Sequence, residues 1–177
     1  DDAHALATIH RESVRAAKIV KSLLDFARRP EAERAAPVDV NGVARYAMDA
    51  VQTQLTSKQI RGELDLALHL STVRAQTSQI EQVVLNLVVN ARQALETWKR
   101  EDGVQHALGI RTRETDGWVV IEVWDNGPGI RADHRSRIWD PFWTTHTDRD
   151  GGSGLGLSVV HGIVTADPVF RTTIVFA

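Results

Sequence analysis

The chain has 177 residues, 42% of them hydrophobic, with a formal charge of −2; this suits one ordinary domain with a real core plus an appendage, and argues against disorder. The acidic balance argues against nucleic-acid binding, which needs a basic face to neutralise phosphates. Cysteine is absent, which excludes a disulfide framework and thiolate metal sites and fits a reducing compartment. No apolar run approaches the ~20 residues that span a bilayer, and the polar start at Asp1 and Asp2 is not a signal peptide, so the segment reads as soluble, whatever anchors its parent protein.

Residues 3 to 28 are expected to form one long helix, because Leu6, Ile9, Ser13, Ala16, Val20, Leu23 and Ala27 step alternately by three and four, an a/d seam suited to a bundle or dimer contact. Pro30 stops it, and the polar stretch from 31 to Pro37 reads as a linker. Asp39 is a plausible N-cap for a second helix carrying Val40, Val43, Ala44, Ala47, Val51 and Leu55. Ile60, Leu64, Leu66 and Leu68 suggest a strand, alternating with Arg61, Glu63 and Asp65. Ser78 with Glu81 reads as a capping box opening a third helix to about Arg100. Strands near 107–114 and 118–124 are joined by Asp116-Gly117, a strong hairpin signal. A short helix is expected near 132–138, another from about Leu155 to Thr165, and a last strand from Val169 to Phe176. Mixed helices and strands with adjacent hairpin strands imply an α+β sandwich.

Three segments carry chemistry. Asn86, Asn90 and Gln93 share one face of the third helix. Asparagine is a poor helix former and its amide tolerates burial only when bonded; the partner is either a nearby loop or a hard cation such as Mg²⁺, which accepts amide oxygens. "DNGPGI" follows a Val/Ile-rich strand, with Asp125 as a hydrogen-bond acceptor and Gly127 and Gly129 leaving room for a flat ring near the backbone; the same residues also suit a plain turn. "GGSGLGLS", Gly151 to Ser158, leads into a helix, so its backbone N–H groups and the helix N-terminus can cradle phosphate. No Gly-Lys-Ser/Thr follows, which excludes a P-loop, and Leu155 and Leu157 argue against a flexible linker.

In that order, the three segments resemble the N, G1 and G2 boxes of the GHKL ATPase superfamily. "DPFWTTH", Asp140 to His146, resembles the F box and lid start of its histidine kinase branch, and "AAKIVKSLLDFAR" resembles the second helix of the dimerisation and phosphotransfer hairpin. The resemblance covers nearly the whole chain and leans towards nitrogen-regulatory and oxygen-sensing kinases. It implies residues 1–30 as a partial phosphotransfer helix, 31–37 as linker and 38–177 as an ATP-binding α/β sandwich, a mixed sheet on three main helices. It further implies a cytoplasmic catalytic part that takes ATP and Mg²⁺, dimerises through the hairpin and serves a response-regulator receiver domain. Asp125 would bind the adenine amine, and Gly127, Gly129 and Ile130 would border the ring. Asn90 would ligate the metal, with Asn86 and Gln93 beside it. Phe142 would pack the lid base next to Thr144 and Thr145, and Gly152, Ser153, Gly154, Leu155, Gly156 and Leu157 would shape the lid and meet the phosphates.

The sequence departs from that pattern in places. His4 and His10 lack the context of a phosphoacceptor, so no catalytic residue is assigned; Gln93 stands where a basic residue is frequent, and His146 where lysine is. The stretch "TADPVFRTTIVFA" reaches the last strand almost directly, where the family interposes a turn, a strand and a second turn. Other readings are a different GHKL ATPase or protein kinase, and a degenerate nucleotide-sensing dimerisation module. An ATP-driven clamp would usually place glutamate at position 86 to activate water, which an amide cannot do; a degenerate module would show little Mg²⁺-dependent affinity.

Overall fold

Apolar residues at helical spacing give each of two long helices one buried stripe. Helix α1 (Val40–Ser57) buries Val40, Val43, Ala44, Ala47, Met48, Val51 and Leu55; α2 (Thr77–Thr97) buries Ile80, Val84, Val88, Ala91 and Leu95. The stripes pack on each other and on Leu108 and Ile110, both 0% exposed, from the inner face of a sheet. A shorter helix, α3 (Gly156–Ala166), lies against α2. The computed structural model describes residues 35–99, 102–145 and 153–166, together with Leu6, Thr8, Ile9 and Ser13.

The sheet contains β2 (Arg61–Leu66), β4 (Ala107–Thr115) and β5 (Trp118–Asp125) in the order β2–β4–β5. β2 runs parallel to β4 and β4 antiparallel to β5, so the sheet is mixed and the α+β expectation holds. The hairpin turns at Asp116 (φ 51) and Gly117 (φ 76), the paired positive φ that matches strand twist in a two-residue loop. Apart from this sheet, β1 (Ala36–Val38) and β3 (Val73–Ala75) make a short antiparallel ribbon.

Several expectations shift. Ala36 and Pro37, read as linker, belong to β1, where proline is tolerated because the strand has one partner only among the described residues. Asp39 does sit at the N-cap of α1, but without a side-chain capping bond. Helix α2 begins at Thr77 after Gln76, so Ser78 lies inside its first turn and no capping box forms there. The alternation in β2 misleads: Leu64 is 42% and Leu68 94% exposed, because β2 pairs on one side only among the described residues and the chain leaves the sheet after Leu66. Residues 132–138 form successive turns instead of a helix, tied by bonds such as Arg137 N–H to the His134 carbonyl (2.8 Å). Of the first helix, only Leu6, Thr8, Ile9 and Ser13 are described, all helical. The last strand lies outside the described residues.

Candidate nucleotide site

Helix α2 is the spine of the site, because its polar face meets both glycine-rich segments. At its middle, Asn86 and Asn90 face the first residue of α3. A Cβ added at Gly156 would lie 3.4 Å from both amide atoms of Asn90 and 3.5 Å from Asn86 Oδ1. Five residues beyond Asn90, Leu95 faces the other segment: a Cβ at Gly127 would lie 3.3 Å from Leu95 Cδ2. The N-box amides therefore lie against the α3 N-terminus, and the glycine loop after β5 meets the same helix at Leu95. Asn90 Nδ2 is buried with no hydrogen-bond partner, an uncommon state for a buried amide. An amide oxygen on the same group is the donor type that hard cations take. Gln93 follows on the same helix, half-buried.

At the end of β5, the Asp125 carboxylate accepts a hydrogen bond from Gly127 N–H at 2.8 Å. Burial pushes this carboxyl above the ordinary aspartate range, and the Gly127 bond pulls it partly back. A Cβ at Gly127 would stand 2.5 Å from Asp125 Oδ1, so a side chain there would push the carboxylate from its place. Gly129 takes φ 66, a left-handed conformation that favours glycine. Ile130 is half-buried, and its carbonyl accepts from Arg135 Nε at 3.3 Å.

The F box reaches the α3 loop through its backbone. Phe142 N–H donates to the Gly154 carbonyl at 2.9 Å. Phe142 (φ 67) and Gly154 (φ 68) are both left-handed, and a Cβ on Gly154 would stand 2.5 Å from the Phe142 carbonyl carbon. The Phe142 ring, expected to pack, is 56% exposed. Its neighbour Trp143 packs instead, with the His134 ring edge-on at 5.1 Å and the Arg137 guanidinium 5.8 Å over its ring. Thr144 and Thr145 follow, exposed. Leu155 is buried and its N–H points to Ser153 Oγ at 3.4 Å; Gly156 and Leu157 open α3, where first-turn N–H groups have no intrahelical acceptor. Gly152 and His146 lie outside the described residues.

One residue escaped the sequence reading. Asn126 ties the start of the G1 loop to β4, with its side chain bonded to both Ala107 and Gln105. Asn-Gly after a strand reads as a turn, which hid that role.

Helix α2 thus holds the two glycine-rich segments of a candidate nucleotide site against its polar face and its end. The family model of histidine kinase-, DNA gyrase B- and HSP90-like ATPases matches residues 75–172, more than half of the chain, and the chain belongs to that family. Within it the chain is similar to sensor histidine kinase ZraS of Escherichia coli (strain K12), 32% identical over 164 residues that cover 92% of this chain and 33% of ZraS. Full-length ShkA in complex with AMPPNP is 28% identical with a TM-score of 0.71, over 94% of this chain and 34% of ShkA. Histidine kinase ThkA in complex with response regulator protein TrrA is 25% identical with a TM-score of 0.61, over 78% of this chain and 39% of ThkA. The chain spans 33% of the length of a relative such as ZraS.

Proposed function

We propose that this portion binds Mg²⁺-ATP and donates its γ-phosphoryl group to a histidine on a dimerisation hairpin, from which a response-regulator aspartate receives it. In the transfer, the bond from the γ-phosphorus to the bridging oxygen breaks and leaves ADP, while an imidazole nitrogen forms the new bond to phosphorus. Positioning and charge neutralisation carry most of such a reaction, so no protein nucleophile is needed in the cleft. Asp125 accepts the adenine amine, and Gly127 and Gly129 hold the backbone beside the ring. Asn90, supported by Asn86, would hold the magnesium ion, which neutralises phosphate charge. The first turn of α3 and the Ser153–Leu157 segment face the phosphates.

The observation that carries this reading is α2 itself, which presents Asn86 and Asn90 to Gly156 and Leu95 to Gly127. The unpartnered amide of Asn90 supports a ligand from outside the protein at that point. ShkA bound to AMPPNP and ThkA bound to its response regulator support the nucleotide and the partner. Exposure of Leu6 at 67% and Ile9 at 63% supports a helical seam that pairs with a second copy. No helix among the described residues is long and apolar enough to cross a membrane. Titration with ATP in the presence and absence of Mg²⁺ tests the reading. Micromolar-to-millimolar binding that tightens with Mg²⁺ is the expected result; binding indifferent to the metal would contradict it.

A further inference from the structure

The β4–β5 ladder continues one step past its last backbone pair, and a side chain completes that step. Leu108 and Asp125 are the final register partners. Beyond them, Asn126 N–H donates to the Ala107 carbonyl at 3.0 Å, as a strand residue would. The return bond does not go to the Asn126 backbone: Ala107 N–H donates to Asn126 Oδ1 at 2.9 Å. Asn126 Nδ2 then donates to the Gln105 carbonyl at 3.0 Å. A side-chain amide thus replaces one peptide group of the ladder, and the main chain is free to turn away directly after Asp125. That turn brings Gly127 N–H onto the Asp125 carboxylate at 2.8 Å.

The anchor is firm. The His106 carbonyl accepts from Arg61 N–H at 2.8 Å, and Gln105 Nε2 donates to the Gln59 carbonyl at 3.2 Å. The His106 ring lies 5.5 Å from Trp98 at the end of α2. Residues 105–107 are therefore fixed to β2 and α2, and Asn126 transmits that fixity to the loop.

We propose that Asn126 is a positioning residue for nucleotide selection: by standing in for a ladder peptide it ends β5 at Asp125 and sets the carboxylate that reads the adenine amine. This inference rests on the nucleotide reading above and adds a residue to its base recognition. An alanine at 126 keeps the backbone bond to Ala107 and loses both side-chain bonds, so Asp125 is no longer held at one angle.

The test compares ATP with purine riboside triphosphate, which lacks the amine, on the full chain. Wild type should prefer ATP by about tenfold or more, the worth of a hydrogen bond to a charged group. Asn126→Ala should lose most of that preference while its affinity for the amine-free nucleotide stays within about twofold, an outcome that general destabilisation does not produce. Hydrogen exchange should show the Ala107 amide losing protection in the same variant. Asn126→Asp, which keeps an acceptor for Ala107 N–H and loses the donor to Gln105, should show a reduced preference, and serves if the alanine variant does not fold. An unchanged preference in a folded variant overturns the role of Asn126. Wild type without any preference for ATP overturns the base-recognition reading itself, and this role with it.

Discussion

At the tip of β5, polar groups are paired with one another: Asp125 with Gly127 N–H, and Asn126 with Ala107 and Gln105. On α2, Asn90 Nδ2 is buried without a partner among the atoms present. The first region is held by its own bonds before any nucleotide arrives, so its selectivity is built during folding. The second carries an unmet N–H donor, whose cost falls when an outside acceptor such as water or a phosphate oxygen supplies the partner. On the proposed reading, base recognition and phosphate recognition would be prepared differently within one site, and substitutions should separate them.

The largest expected effect belongs to Asp125→Asn. Loss of a charged acceptor should weaken ATP about 10- to 100-fold, measured by titration. Thermal stability should not fall, because burial already disfavours the charge and asparagine keeps an oxygen for Gly127 N–H. A matching loss of stability without nucleotide would break the comparison, since Asp125 would then belong to the fold and not to the ligand.

Acidification should have a smaller effect through the same group. Burial raises the Asp125 carboxyl above its unfolded value, so its contribution to stability is full below the unfolded pKa and is lost as pH rises through the folded one. ATP affinity runs the opposite way: it should fall as pH drops through the folded pKa, above the ordinary aspartate range, because the proton occupies the acceptor. Titrations across a pH series should show that fall in wild type and not in Asp125→Asn.

The smallest effect should come from Gly156→Ala. The new methyl would meet the Asn86 and Asn90 amides at ordinary contact distance, so the helix tolerates it and gains ~0.4–1 kcal/mol from a stiffer unfolded chain. Nucleotide affinity should nevertheless drop severalfold, because the methyl lines the phosphate side. A melting curve and a titration on one variant check both signs.

Much of this was legible in the sequence where a local signal coincided with a tertiary need. Asp116-Gly117 specified the hairpin because both positions adopt positive φ. The stripes of α1 and α2 were readable because their buried apolar positions, Val40 aside, reach one core. Legibility failed where context decides. The three-residue strands β1 and β3 are too short to show a period. Leu64 and Leu68 alternate correctly but lie at and beyond a strand paired on one side. Ser78 has capping chemistry but stands two residues past the N-cap Gln76. In the site, Asn90, Asp125 and Gly156 could be named from motif order, whereas Asn126 and the backbone clasp between Phe142 and Gly154 depend on bonds that a linear pattern does not display.

A paired experiment bears on the central claim most directly: ATP titration of Asp125→Asn and Asn90→Ala, each with and without Mg²⁺. The account predicts that Asp125→Asn weakens ATP by the same factor in both conditions, whereas Asn90→Ala binds as wild type does without the metal and gains nothing from its addition. Undiminished Mg²⁺ enhancement in Asn90→Ala, or a loss in Asp125→Asn confined to the metal-containing titration, would contradict it.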